Sequence, residues 1–287
     1  MKLKRIAILV LLLALASISC NLTKLILTES SPQSSGVPAV VPLASETASN
    51  STLVEIIFIS KPGMSSQITS PISVMGEADP TFEQNLVVLL TGEDGLQLAI
   101  SPTSIQSPLG SRGAFTVELN FTVASAQPGR ISVYSSEAMI GAIEHLSSVE
   151  VELLPSGSVQ MAQAESAVES IDILQPAANA QISGGSLQVS GFSDYYFESS
   201  LGIVLCGPGG GDAGAGVLVE LCGSEDNILA AGSAMIQSAD IGLPGPFSGQ
   251  LSYSVSSPTP ARLIVYATSA RDGGLLHVDS VPIQLLP

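Results

Sequence analysis

The sequence contains no tryptophan, three cysteines, two histidines and nine lysine or arginine residues among 287. Each scarcity removes a class of function. Nine bases stand against 25 acids, a formal charge of −16, so the basic footprint that nucleic-acid phosphates require is missing. A polybasic patch for anionic lipid head groups is missing for the same reason. Acidic charge spread over a surface favours solubility and resists self-association. With two histidines far apart and no G-x-S-x-G, a serine–histidine nucleophile has no basis. Acids are plentiful, but nothing marks two of them as a working pair. The glycine-rich run near 207–216 lacks the G-K-[ST] that closes a phosphate loop. After residue 20 no apolar run is long enough for a membrane helix, so the remainder reads as exported and soluble. The expectation is a protein that is not an enzyme, with no cofactor and no metal.

The chain opens with "MKLKR", a positive segment, then "IAILVLLLALA", an apolar run too short to span a bilayer. Ser17, Ile18, Ser19 and Cys20 follow. Residues 1–20 read as a bacterial lipoprotein signal in which Cys20 becomes the lipidated terminus. Ser17 stands where such signals usually carry leucine, so ordinary cleavage with Cys20 incidental is the alternative. Lys2, Lys4 and Arg5 leave with the signal, so the mature chain keeps 25 acids and 6 bases. Residues 21–54 are rich in Ser, Thr, Pro and Ala and read as a flexible stalk; 156–169 read as a linker. Cys206 and Cys222 form an even pair in an exported chain, which favours a disulfide.

The remaining blocks, 55–155 and 170–287, are two copies of one pattern. "DPTFEQNL" (79–86) matches "DYYFESSL" (194–201), "GAFTVELNFTV" (113–123) matches "GPFSGQLSYSV" (245–255), and "RISVYSS" (130–136) matches "RLIVYAT" (262–268). The offset is 114 to 115 early and 132 late, so the second copy carries one insertion within 206–226. In "FTVELNFTV", Phe115, Val117, Leu119, Phe121 and Val123 share one face, the signature of a half-buried strand. Such runs predict strands near 54–60, 71–77, 86–91, 96–100, 115–123, 130–135 and 148–154. About seven short strands per copy suggests an all-β fold of two tandem immunoglobulin-like β-sandwich domains. The missing tryptophan and inter-sheet cysteine pair exclude the antibody type. Eight aromatic residues fall in repeat-related pairs and are expected in the core. Phe82 and Phe197 are expected to plug the sandwich ends, with Glu83 and Glu198 beside them.

Among candidate sites, His145 and His277 occupy equivalent positions, each just before the final strand of its copy. As metal ligands or pH sensors they lack a Cys or His neighbour at ligand spacing, so they read as a repeated surface residue. The insertion offers a lone Asp212 for a Gly-Asp calcium turn. A protruding hairpin is preferred, with strands near 201–206 and 217–222, closed by Cys206–Cys222. In "GFSDYYFE" a loop could present Tyr195 and Tyr196 to a ligand or partner, and Asp212 at the hairpin tip is a further candidate contact.

Each block also resembles the immunoglobulin-like Gmad domain of bacterial spore-germination proteins. The shared features are a strand ending in Pro62 or Pro176, "SPISVMGEA" (70–78), Phe82-Glu83 or Phe197-Glu198, Gly113 to Phe115 or Gly245 to Phe247, and Ile131 to Tyr134 or Leu263 to Tyr266 with a following glycine. The second copy departs with "GGSLQVSG" and its insertion. The resemblance implies an exported sandwich domain and carries over no catalytic residue. The expected function is a non-catalytic cell-envelope lipoprotein. The lipid on Cys20 would hold it to a membrane, and its domains would contact an envelope protein. A peptidoglycan- or small-solute-binding accessory protein is the alternative.

Overall fold

The computed structural model describes residues 53–164, 166–209 and 214–287. The signal with Cys20, the stalk through residue 52, and Asp212 lie outside them. No helix among the described residues is long and apolar enough to cross a membrane.

Alternating sequence becomes alternating burial. The first copy forms β1 (Ile57–Lys61), β2 (Gln67–Ile68), β3 (Ile72–Ala78), β4 (Asn85–Thr91), β5 (Gln97–Ser104), β6 (Gly113–Leu119), β7 (Gln127–Ser136) and β8 (Ile143–Leu153). The second forms β9 (Ile171–Gln175), β10 (Gln181–Ile182), β11 (Ser186–Ser193), β12 (Ser200–Cys206), β13 (Ile228–Ile236), β14 (Gly245–Ser252), β15 (Thr259–Thr268) and β16 (Leu275–Leu285). One short helix, α1 (Val217–Cys222), lies between β12 and β13. In the first copy β1-β3-β6 face β5-β4-β7-β8. The second repeats this as β9-β11-β14 and β13-β12-β15-β16, except that β13 pairs with both β12 and β14 and joins the two sheets. The inward side chains build one core around Val74, Val88, Phe115 and Ile131, and another around Val189, Ile203, Phe247 and Leu263.

Phe115, Phe247, Phe121 and Tyr253 are buried as their alternation predicts. Phe82 and Phe197 are not plugs: they are 59% and 62% exposed. Each opens a tight turn whose next two residues adopt positive φ, Glu83 (52°) and Gln84 (59°), Glu198 (56°) and Ser199 (50°). The turn sends the following residue inward, Gln84 in the first copy, and leaves the ring outside. The long strand predicted through Val123 ends at Leu119, where its ladder partner β3 begins at Ile72. Phe121 then donates its N–H to Ser70 Oγ instead.

A repeated glycine marks the tightest packing. A β-carbon on Gly76 would sit 2.1 Å from the Phe58 carbonyl oxygen and 2.5 Å from the Phe115 ring. On Gly191 it would sit 2.0 Å from the Asp172 carbonyl oxygen and 2.5 Å from the Phe247 ring. Gly76→Ala and Gly191→Ala each lower stability by about 1–3 kcal/mol through overpacking. Urea denaturation of each variant checks this, and an unchanged midpoint refutes it.

The two sandwiches share one sheet. β8 pairs antiparallel with β16, His277 opposite Ser147 and Val278 opposite Leu146, so that β5-β4-β7-β8-β16-β15-β12 run continuously. Contacts across this seam come in repeat-related pairs. Ser148 Oγ donates to the Leu276 carbonyl, and Ser280 Oγ donates to that of Glu144, both at 2.7 Å. The repeat-equivalent arginines cross the seam too, each to an acid with no counterpart in the other copy: Arg130 pairs with Asp272, and Arg262 reaches back to Glu144 at 2.6 Å. Such reciprocity means that the seam lies on an approximate two-fold axis, the isologous geometry of a dimer.

The insertion covers the seam. Residues 217–222 form α1 instead of the expected hairpin strand. Leu221 and Cys222 pack with Ile143 and Leu146 of β8, Val204 of β12, Ile264 of β15 and Val278 of β16. "VLVELC" spreads apolar side chains around a helical turn, and the outer face of the fused sheet is apolar there. Folding back buries both surfaces, which a protruding hairpin leaves wet. A disulfide joins Cys206 to Cys222, with Cα atoms 5.3 Å apart. The segment 156–164 likewise lies along the first domain: Gln160 and Gln67 exchange both backbone hydrogen bonds, and Gly63 N–H donates to the Ala162 carbonyl.

Candidate functional site

The approximate two-fold axis gathers the four residues that open β1 and β9 and occupy β8 and β16. Glu55 and Glu169 precede β1 and β9; His145 and His277 sit within β8 and β16. The chain segments carrying the two glutamates pair directly. Val54 bridges Val168, Glu55 N–H donates to the Ala167 carbonyl, and Glu169 N–H donates to that of Leu53. One oxygen of each carboxylate is then held by the opposite domain. Glu55 Oε2 accepts from Ser170 N–H at 3.0 Å, and Glu169 Oε2 accepts from Ile56 N–H at 2.9 Å. The other oxygens point at the histidines.

This box is dry. Glu55, His145, Glu169 and His277 are 6%, 4%, 8% and 3% exposed. The imidazoles meet edge to face, centroids 5.3 Å apart. His277 Nε2 hydrogen-bonds Glu169 Oε1 at 2.7 Å, and its Nδ1 lies 3.5 Å from Glu55 Oε1. Ser147 Oγ donates to Glu55. His145 is different: neither ring nitrogen makes a hydrogen bond among the described residues. Its Nε2 lies 3.8 Å from Glu169 Oε1 and its Nδ1 3.6 Å from Asp279 Oδ1.

Electrostatics separates the two acids. Burial opposes charge on His277, but the Glu55 and Glu169 carboxylates outweigh it and raise the imidazole to about 9. Burial also pushes Glu169 upward, and the hydrogen bond and charge of His277 overcome this and lower it. For Glu55 burial prevails over the attraction of His277 and the carboxyl is raised.

The histidines are therefore not repeated surface residues. They lie 132 positions apart in sequence, but the fused sheet sets them in ring contact. Glu55 and Glu169 passed unnoticed in the sequence, although "VEII" and "VESI" align in the repeat. The other candidates scatter. Tyr195 is half-buried, and Tyr196 packs against the second core. Burial, with Asp194 and Glu55 nearby, raises the Tyr196 hydroxyl well above its usual range. A cleft of about 590 Å³ borders the box, lined by Glu55, Ser147, His277, Met64 and Asp194 among others.

Residues 56–142 match the family model Gmad2, the immunoglobulin-like domain of bacterial spore germination. The match takes in β1 to β7 of the first copy and ends before β8. No curated protein sequence matches the chain. Three solved structures illustrate the structural likenesses. Red sea bream transglutaminase is 11% identical with a TM-score of 0.26, over 82% of this chain and 32% of that one. The titin Z1Z2 domains in complex with telethonin are 13% identical with a TM-score of 0.18, over 82% and 97%. Dimeric latent PorU from Porphyromonas gingivalis is 8% identical with a TM-score of 0.23, over 81% and 24%. This chain thus spans about a third of the transglutaminase and a quarter of PorU. These likenesses are too slight to bear on function.

Proposed function

We propose that this protein is a non-catalytic interaction module of the cell envelope, in which two docked sandwich domains present repeated contact residues to a protein partner. In this reading Cys20 carries a lipid that holds the chain to a membrane, and 21–52 is a stalk averaging roughly 30 Å. The observation that carries it is the pair Phe82 and Phe197. Each ring is more than half exposed, and each stands on a turn whose two positive-φ residues are not glycine. Such backbone costs of order 1–3 kcal/mol per residue and persists where the surroundings impose it, commonly at ligand clamps. Beside each ring lies a half-buried tyrosine, Tyr134 or Tyr266, in a shallow groove. An exposed aromatic beside a pocket is the usual anchor of an interface.

The test is a pull-down with immobilised residues 21–287, wild type and the double variant F82A/F197A. Solubilised membrane proteins and purified peptidoglycan sacculi are the two fractions passed over it. The expected result is a specific membrane-fraction protein whose retention falls about tenfold or more in the double variant. The thermal midpoint stays unchanged, because both rings are already solvated. Retention on sacculi, competed by soluble muropeptides and untouched by the double variant, would instead establish the wall-binding alternative.

A further inference from the structure

We propose that Glu55, His145, Glu169 and His277 bind one divalent transition-metal ion of the zinc type, which staples the two domains together. Each residue offers one ligand atom, and these atoms all lie within 4.8 Å of one another. A tetrahedral zinc site with bonds of about 2.0–2.1 Å needs its ligand atoms drawn in to roughly 3.4 Å. Rotation of the carboxylates and imidazoles would draw them in. The donor set is two nitrogens and two oxygens. It contains no thiolate to favour copper(I), and its imidazoles argue against calcium or magnesium, which take oxygen ligands. Two carboxylates beside two neutral imidazoles balance a divalent charge, so the buried site closes without net charge.

His145 points to a missing partner. Its ring is 4% exposed, neither nitrogen is hydrogen-bonded, and Nε2 faces the box. Leaving a buried donor and acceptor unpaired is costly, and a coordinated ion removes that cost. The surroundings already resemble an outer ligand shell. Asp279 faces His145 Nδ1, Ser147 donates to Glu55, and backbone N–H groups hold the outer oxygens of both glutamates. An entering ion displaces the proton shared by His277 and Glu169. The neighbouring cleft, which Glu55 and His277 line, is its route.

Each domain supplies one glutamate and one histidine, so the site exists only in the docked form. An ion there binds the docked state and not the separated one, and stabilises docking by mass action.

The test strips the full chain with a chelator and titrates it with zinc chloride by calorimetry. A cobalt(II) titration alongside it is read by visible absorption. Expected are one ion per chain, a cobalt spectrum typical of tetrahedral nitrogen–oxygen ligation, and a higher thermal midpoint. His145→Gln should abolish saturable uptake. Asp279→Asn, which touches no ion, should weaken it by about 10–100-fold. Should His145→Gln fail to fold, the wild-type cobalt spectrum and Asp279→Asn decide. No saturable uptake by the wild type overturns the proposal. So does uptake that His145→Gln leaves unchanged, or an octahedral all-oxygen spectrum indifferent to Asp279→Asn. The box would then be a proton-linked ion network.

Discussion

Replacing Arg130 with methionine lowers the free energy of unfolding by about 3–5 kcal/mol, the cost of stranding a buried charge. The Arg130 and Asp272 side chains are 3% and 2% exposed, and they belong to different domains. Burial alone would raise the Asp272 carboxyl. Hydrogen bonds from Arg130, the Gly274 N–H and Arg271 outweigh it and hold the group well below the usual carboxylate range. Arg130 also donates to the Leu275 carbonyl at 3.1 Å, so methionine strands a backbone acceptor as well. The sign of the pH dependence follows. A depressed folded value means that the stabilisation is complete above the unfolded carboxylate value of about 3.9 and is lost as pH falls below it. Urea midpoints measured from pH 7 down to pH 3 should fall for the wild type and fall less for Arg130→Met. Equal midpoints for the two at pH 7 would show that the pair contributes nothing to docking. The double variant R130M/D272L should recover part of the loss: both buried charges go together, and only the Leu275 carbonyl and the Gly274 N–H are left without their partners.

Reducing the Cys206–Cys222 disulfide costs about 3 kcal/mol on the loop-entropy account. The bridge closes a separation of 16 residues and ties the end of β12 to the end of α1. Cys206 and Cys222 are 5% and 0% exposed. Reduction rather than substitution therefore isolates the crosslink, because shorter side chains would add a cavity. Guanidinium unfolding with and without reductant gives the magnitude. Hydrogen exchange gives the location: amides of 217–222 lose protection first, while those of β3 and β6 do not change. A midpoint insensitive to reductant would mean that α1 is held by packing alone.

Strand-period alternation needs only neighbouring residues, so β3 and β4 were legible to within a residue at their ends, while β6 stops short of Val123 and β7 begins before residue 130. Repetition was legible because both copies solve one packing problem, down to the glycines under Phe115 and Phe247. What failed did so where local pattern and long-range packing disagree. "VLVELC" suits a strand or a helix, and the bare face of the fused sheet selected the helix. Phe82 and Phe197 looked like core by type, and a positive-φ turn turned them outward.

From its own order of residues this chain determines an all-β fold, two copies of a sandwich, the place of one insertion and the pairing of Cys206 with Cys222. These depend on side-chain alternation, on self-similarity and on counting. Only the tertiary structure decides that β8 and β16 join the copies into one sheet. The same docking makes Glu55, His145, Glu169 and His277 a single buried box. No spacing rule reaches across 222 residues from Glu55 to His277; an approximate two-fold axis does, because it brings equivalent positions of the two copies to one point.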